Sequence, residues 1–441
     1  MQKSTLRIIG NKAVLNIRER MCETPEEMLS SEKFRMVLDH CISALKSKES
    51  PVLSIFGGQA IDDESTGDLV KTLSLLEKYE SQVVPHIYEK SGVFLKDLHV
   101  FNSFVEHLYD YWRHFDRFII NDSEGDRLDK RPYRTFHETI EHLSHLVRGV
   151  YRRIQENITG TRPTVYRQVP AGAEMAVISL PKEIRWTDDR YSKLNGVQVI
   201  RQILIYPPLV IQQPMNKRTG DFKKIEQNPA DLADLNPVDW LCFPAKVGKY
   251  IIMIYFHLNF FELGLSLCNL FQLAEDSDLD RQPDAVFFYG VGGGKLDSLA
   301  SYPTVFYHDR SNAMFVGAVP DRNEFGYFGY LKKMTLTLHN SLVMDAGNMP
   351  FHGAMVKILL HGNKEATILM MGDTGAGKSE TLEAFRVLGE KDIRDLRIIA
   401  DDMGSIEIDP DGNPIGYGTE TGAFLRLDDL QSGYAYGHLD R

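Results

Sequence analysis

The chain has 441 residues, of which 43% are hydrophobic and 25% are charged. This length is sufficient for two or three domains, and the composition is typical of a globular protein rather than a disordered or fibrous one. The formal net charge of -11 makes the surface as a whole repel polyanions, which argues against general nucleic-acid binding.

The chain has four scattered cysteines, none of them in a CxxC pair: Cys22, Cys41, Cys242 and Cys268. Such sparse use favours the reducing cytoplasm over a disulfide-bonded secreted protein. The N-terminus has no apolar run after its basic residue, so we expect no signal peptide. The most apolar stretch, 250–271, contains His257 and Glu262, which are costly in a bilayer. It therefore predicts a buried strand followed by a core helix rather than a membrane span.

Apolar residues recur at helical spacing through the first third of the chain. This periodicity predicts helices over 31–46, 69–79, 101–119 and about 140–154. Gly and Pro residues within 157–163 end the last of these helices.

The middle third instead has short apolar runs bounded by Pro and Gly, at 176–180, 197–206 and 285–289, which predict strands. Together these patterns predict an α+β protein with three regions. They are a helical N-terminal region (1–162), a β-rich middle domain (163–324) and a C-terminal nucleotide-binding domain (325–441).

The C-terminal region carries the pattern of an α/β nucleotide-binding unit. Residues 366–371 predict a strand, a Gly-rich turn follows, and 378–388 predict a helix. A second buried strand is expected over 396–400 and ends at a pair of acids, Asp401 and Asp402.

The Gly-rich turn matches the phosphate-loop pattern Gly-x-x-x-x-Gly-Lys-Ser/Thr. Backbone N–H groups of such a loop bind phosphate oxygens, the lysine reaches the β- and γ-phosphates, and the Ser hydroxyl binds Mg²⁺. Because a strand precedes the turn and a helix follows it, the sequence predicts a site for ATP or a related nucleoside triphosphate. The expected nucleotide-binding residues are Gly372, Asp373, Thr374, Gly375, Ala376, Gly377, Lys378, Ser379 and Glu380.

The paired acids are the second candidate feature. A strand parallel to and beside the first would place Asp401 and Asp402 near the phosphates. There, one carboxylate can bind Mg²⁺, and the other can bind a second metal or act as a base. The alternative is an acidic surface turn.

In this region the chain resembles ATP-dependent phosphoenolpyruvate carboxykinase. The order and rough spacing of the motifs agree over about 325–426. The segments that carry the resemblance are Tyr327-x-Gly329-x-x-Lys332-Lys333, His352 in Met-Pro-Phe-His-Gly, the phosphate loop, Asp401-Asp402, and Glu420-Thr-Gly-Ala-Phe424.

The resemblance implies a two-metal site. A second divalent metal, typically Mn²⁺, would be held by Lys333, His352 and Asp402, while Asp401 and Ser379 would serve the Mg²⁺ bound to the nucleotide. Lys332 and Tyr327 would face a small carboxylate substrate. Arg310 is a further candidate for binding an acidic group.

The phosphate loop also resembles that of HPr kinase/phosphorylase. That family has His-Gly before a strand, Gly-Lys-Ser-Glu-Thr in the loop, and a later strand that ends in Ala-Asp-Asp. The corresponding segments here are His352-Gly353, Gly377–Thr381 and Ala400–Asp402. That family lacks the paired lysines, so their presence favours the carboxykinase resemblance.

The chain departs from the carboxykinase pattern at several points. Tyr330 replaces a Glu, the upstream Arg-Ser-Pro motif is absent, and Met403-Gly404 follow the acids in place of Glu-His. The family would continue beyond Arg441 with a further sheet and adenine contacts, so we expect a chain that is truncated at its C-terminus.

Three functions follow as hypotheses. The first is an ATP-dependent phosphotransferase that decarboxylates and phosphorylates oxaloacetate or a similar β-keto acid. The second is a kinase of a protein or a small molecule resembling HPr kinase, with Asp401 or Asp402 as the base. The third is a non-catalytic, nucleotide-binding regulatory module whose helical N-terminal region binds a partner protein.

Overall fold

The computed structural model describes residues 5–17, 21–122, 131–161, 171–206, 211–360, 364–372, 377, 381–382, 384–385 and 393–422. Over these ranges, no helix has the length and apolarity needed to cross a membrane. The chain forms two compact units. Unit 1 comprises the described residues of Met1–Leu180 and Gln202–Leu209, and unit 2 those of Pro181–Arg201 and Val210–Arg441. The three-region division proposed from the sequence stays a prediction.

Unit 1 is mainly helical. Its helices are α1 (Pro25–Ser30), α2 (Glu32–Ser47), α3 (Asp63–Leu76), α4 (Val84–Ile87), α5 (Leu98–His114) and α6 (Arg131–Thr159). Several begin at a side-chain cap: Ser31 accepts the Phe34 N–H, and Asp62 forms a reciprocal pair with Ser65. Such caps satisfy backbone donors that the first turn leaves free.

A short sheet completes unit 1. Its strands are β1 (Thr5–Ile9), β2 (Lys12–Ile17), β3 (Asp116–Asp122) and β4 (Met175–Leu180). β1 and β2 are antiparallel, whereas β3 is parallel to both β2 and β4. The helix predicted over 101–119 is therefore correct only as far as His114. The apolar run at 118–120 suits a buried strand as well as a helix, and pairing with β2 and β4 decides the outcome.

The first sheet of unit 2 runs in the order β5-β7-β8-β10-β12-β11-β6, with β9 on β7. Of β5, only Gln198–Arg201 belongs to this unit. Its central strands β8, β10 and β12 are parallel and almost fully buried, as expected for strands covered on both faces. Its elements are β5 (Gln198–Ile205), β6 (Lys223–Ile225), β7 (Trp240–Val247), β8 (Tyr250–His257), α7 (Phe261–Ser266), β9 (Gln272–Leu273), β10 (Ala285–Val291), β11 (Val305–Asp309) and β12 (Met314–Pro320). The predicted strands at 176–180, 197–206 and 285–289 and the strand and helix within 250–271 are confirmed.

The second sheet of unit 2 contains the paired acids. Its strands follow the order β14-β13-β15-β16, and all neighbours are antiparallel. The strands are β13 (Met349–Leu360), β14 (Glu365–Met371), β15 (Ile393–Ile408) and β16 (Pro414–Gly418). The strand predicted over 366–371 is confirmed as β14.

Two expectations about the acid-bearing strand are wrong. It does not end at Asp401 and Asp402, because pairing with β13 and β16 extends β15 to Ile408. It also does not lie beside β14, because β13 is inserted between them. Since β13 is antiparallel to both, β14 and β15 still run in the same direction.

Helix α8 (Phe328–Asp345) connects the two sheets of unit 2. It packs against β12 of the first sheet and against β13 and β15 of the second. Side chains are buried around most of its circumference, as expected of a helix enclosed by protein. This position brings the paired lysines of its second turn to the acid-bearing strand. The described part of the chain is a mixed α/β protein.

Candidate functional site

Three basic side chains converge on one carboxylate, that of Asp402. The Nζ atom of Lys332 lies 2.8 Å from Oδ2 and that of Lys333 lies 3.4 Å from the same oxygen. The Nε2 atom of His352 lies 3.0 Å from Oδ1. These four residues were predicted as site residues from distant parts of the sequence, and the fold brings them together.

Three elements supply these four side chains. Helix α8 supplies both lysines, β13 supplies His352, and β15 supplies Asp402. In the pairing of β13 with β15, Gly353 is opposite Asp402 and His352 is opposite the next residue, Met403. Adjacent positions on a helix point about 100° apart, which explains why Lys332 is only 7% exposed whereas Lys333 is 42% exposed.

Opposing effects act on the pKa of Asp402. Burial raises the pKa of this carboxyl, but the charge and hydrogen bond of Lys332, followed by Lys333 and His352, outweigh burial and lower the pKa to about 2. For Lys332, burial lowers the pKa, but Glu420 and Asp402 together raise it above its usual value. At neutral pH the pair is therefore a carboxylate and an ammonium ion.

The backbone at Asp402 is unusual. Its φ angle is +135°, a value that residues with a side chain seldom adopt. Such strain persists only where the surrounding contacts enforce it, and it is concentrated at functional sites. Here the strained residue is also the one on which the three basic side chains converge.

Glu420 is a member of this cluster that we did not predict as a site residue. Its Oε1 atom lies 2.8 Å from the Lys332 Nζ atom, and its side chain is 3% exposed. Burial raises the pKa of Glu420 more than the charge of Lys332 lowers it. The sequence signal was present, because Glu420 opens the last segment of the carboxykinase resemblance. We call Lys332, Lys333, His352, Asp402 and Glu420 the Asp402 cluster.

The phosphate loop itself falls mostly outside the described residues, which include only Gly372 and Gly377 of its predicted ligands. Strand β14 ends just before it, and the Gly372 N–H donates to the His352 carbonyl at 3.4 Å. The φ angle of Gly377 is +79°. Helical residues follow at 381–382 and 384–385, and Leu382 is buried against the sheet. The predicted ligands outside the described residues are Asp373, Thr374, Gly375, Ala376, Lys378, Ser379 and Glu380.

Gly353 relates the two parts of the site to one another. It pairs with Met371, the last residue of β14, on one side and with Asp402 on the other. The start of the loop and Asp402 therefore lie level with one another, two strand spacings or roughly 10 Å apart. Asp401 is the next residue along β15 and is opposite Ala354.

The two predicted substrate ligands are placed differently. Tyr327 is buried at the N-terminus of α8, about one turn before Lys332. Arg310 is exposed in a turn after β11. That end of β11 lies near Asp345, at the C-terminal end of α8, because His308 contacts Asp345 at 3.7 Å. Since Asp345 is about 20 Å along the helix axis from Lys332, the structure does not bring Arg310 to the cluster.

The resemblance predicts that Lys333, His352 and Asp402 of the Asp402 cluster hold a divalent cation. No group of three or more His, Cys, Asp or Glu side chains able to hold a metal occurs in the described part of the chain. A site here therefore needs a lysine beside His352 and Asp402. Lys333 fits that role better than Lys332, since it is more exposed and its contact with Asp402 is longer.

No known protein-family model matches the chain, and no curated protein matches its sequence. The likeness to carboxykinases and HPr kinases thus rests on the motifs described above.

Proposed function

We propose that this chain is an ATP-dependent phosphotransferase of the carboxykinase type, which acts on oxaloacetate or a similar β-keto acid. The observation that supports the proposal is the convergence of Lys332, Lys333 and His352 on Asp402. The scattered cysteines favour the cytoplasm as its location.

The reaction divides the work between the loop and the Asp402 cluster. Residues Gly372–Ser379 would bind the triphosphate, with Ser379 and Asp401 serving its Mg²⁺. His352, Asp402 and Lys333 would hold Mn²⁺, which supplies positive charge for the reacting oxygens. As the substrate C–C bond breaks, CO₂ leaves and the enolate oxygen attacks the γ-phosphorus. The bond from that phosphorus to ADP then breaks.

The position of Lys333 favours this proposal over a kinase that resembles HPr kinase. A hydroxyl kinase needs a carboxylate base and a phosphate loop, but it has no need for the paired lysines. Here Lys333 reaches Asp402 at 3.4 Å while remaining accessible. A regulatory module that binds nucleotide without turnover would also leave this lysine without a role.

Calorimetric titration tests the metal part of the proposal. Wild-type protein is titrated with Mg-ATP and then with Mn²⁺, alongside His352→Ala and the control His86→Ala, an exposed histidine of unit 1. We expect a separate Mn²⁺ site that His352→Ala weakens by at least tenfold, while ATP affinity changes by less than about threefold. A Mn²⁺ site that is absent from the wild type, or unaffected in His352→Ala, would contradict the proposal.

Turnover of oxaloacetate tests the reaction itself. We expect Lys333→Ala to retain ATP binding and to lose at least 100-fold in turnover. Full activity of Lys333→Ala on a hydroxyl acceptor would favour the HPr kinase-like alternative. Tight ATP binding by the wild type without turnover of either class of substrate would favour the regulatory alternative, with the N-terminal region as the surface for a partner protein.

A further inference from the structure

Glu420 and Asp402 hold Lys332 from two sides. The Lys332 Nζ atom is 2.8 Å from an oxygen of each carboxylate. Both side chains are buried, with Lys332 at 7% exposed and Glu420 at 3% exposed. A buried ammonium group with two anionic partners has its charge neutralised within the protein.

The chain on either side of Glu420 is fixed in place. The Thr419 hydroxyl donates to the Met403 carbonyl at 2.9 Å, and the Thr421 N–H donates to the Leu270 carbonyl at 2.7 Å. A Cβ atom on Gly422 would overlap the Asn269 carbonyl oxygen. The backbone at Gly422 therefore lies too close to the backbone of Asn269 to carry a side chain. These contacts leave Glu420 little freedom to move away from Lys332.

We infer that Glu420 is a positioning residue that clamps Lys332 against Asp402. In this arrangement Lys332 is an internal counter-ion, whereas the carboxykinase resemblance makes it a cation that faces the substrate. The clamp holds Asp402 Oδ2 from the buried side and leaves Lys333 and His352 on the accessible side. The metal-related part of this inference rests on the proposed function, but the clamp itself does not.

The first experiment is a double-mutant cycle on urea unfolding without metal or nucleotide. The variants are Lys332→Met, Glu420→Gln and the combination of both. Each single change leaves a buried charge without one of its partners, so each should lower the unfolding midpoint. The combined variant should lower it by less than the sum of the two shifts. Additive shifts would overturn the clamp, whatever the metal does.

The second experiment measures Mn²⁺ affinity by electron paramagnetic resonance. Glu420→Gln keeps the shape and removes one negative charge near the cation, so we expect affinity to fall by about tenfold. Glu420→Asp keeps the charge and should stay within about threefold of the wild type. Glu407→Gln is the matched control, because Glu407 lies elsewhere on β15 and also pairs with a lysine, Lys249. It should leave Mn²⁺ affinity unchanged.

The outcomes separate this inference from the proposed function. Wild-type affinity in Glu420→Gln, with a Mn²⁺ site intact, would overturn the role of Glu420 and leave the proposed function standing. If the wild type has no Mn²⁺ site, the proposed metal fails and the unfolding cycle alone decides whether the clamp exists. Equal losses of Mn²⁺ affinity in Glu420→Gln and Glu407→Gln would show that Glu420 contributes only to general stability. That result would overturn the inference.

Discussion

Asp402 is half-buried, has a positive φ angle, and contacts three basic side chains. The ion pairs outweigh the effect of burial on the pKa of its carboxyl. Because removing one partner of a buried ion pair costs more than the pair contributes, this residue is the most sensitive point of the site.

The pKa of Asp402 gives a pH-dependent prediction. The pKa of its carboxyl is 3.8 in the unfolded chain and about 2 in the folded protein. This difference corresponds to about 2 kcal/mol of stability. A lowered pKa stabilises the fold above pH 4, and this contribution is lost as the pH falls from about 4 to 2. We therefore expect Asp402→Asn to be less stable than wild type by about 2 kcal/mol at pH 7, with the difference closing towards pH 2.

Urea unfolding at pH 7, 4 and 2.5 or so measures this effect. Asp411→Asn, in an exposed turn of the same unit, is the control and should match wild type at each pH. An Asp402→Asn deficit that is the same at all three values would show that packing, and not ionisation, causes the loss.

His339 gives a second prediction, at mildly acidic pH. It is fully buried in α8, and burial lowers its pKa below 6.5, although Asn340 and Glu407 act in the opposite direction. The unfolded chain therefore takes up this proton more readily than the folded one, so stability is lost as the pH falls below about 6.5. His339→Gln removes the ionisation, and its stability should fall less between pH 7 and 5 than that of wild type.

Denaturant unfolding of His339→Gln and of His86→Gln provides the measurement. His86 is exposed and should leave the pH slope as it is in the wild type. An unchanged slope in His339→Gln would show that the buried imidazole does not control acid sensitivity.

Among the elements, β13 has the central role, because it separates β14 from β15 and pairs with both. At Gly353, where the start of the loop and Asp402 are level, β14 approaches so closely that a Cβ atom would overlap the Met370 carbonyl oxygen. The obstacle is backbone rather than a flexible side chain. An added methyl group would therefore push the two strands apart.

We expect Gly353→Ala to destabilise the protein by about 2 kcal/mol, within the usual range for overpacking. It should also weaken ATP binding on the order of tenfold, equivalent to about 1.4 kcal/mol, because the start of the loop shifts with β14. Thermal unfolding and ATP titration measure the two effects. Gly292→Ala, with open space around it and no positive φ angle, is the control. Wild-type behaviour of Gly353→Ala would show that the strands separate at little cost.

Local signals in the sequence were sufficient to predict single strands but not their order. β8, β10 and β14 are apolar runs bounded by turn residues, and each was predicted. The insertion of β13 depends on which distant segments pair, and no local pattern encodes that choice. Glu420 lies in a recognisable segment, but its contact with Lys332 could not be predicted because Lys332 lies in an element far away in sequence. The lysine, histidine and aspartate residues were found because recognisable motifs carry them.

At the scale of the whole molecule, a net charge of -11 must be reconciled with the binding of an anionic nucleotide. Long-range repulsion is screened within about 8 Å at physiological ionic strength, so local cations decide the outcome. Lys378 of the predicted phosphate loop is such a cation, because the lysine of this motif reaches the β- and γ-phosphates. Binding is therefore expected at the phosphate loop of unit 2 in spite of the acidic surface.

Hydrogen exchange with and without Mg-ATP tests whether the response to nucleotide stays within that unit. A ligand that binds only the folded state slows the openings that expose its site. We expect slower exchange in β13, β14 and β15, and unchanged exchange in α2 and α3 of unit 1, whose apolar core is separate from those of the second sheet. Slower exchange in unit 1 as well would mean that its helices respond to the nucleotide. That result would favour a regulatory module over the proposed phosphotransferase. A lack of change in either unit would contradict nucleotide binding itself.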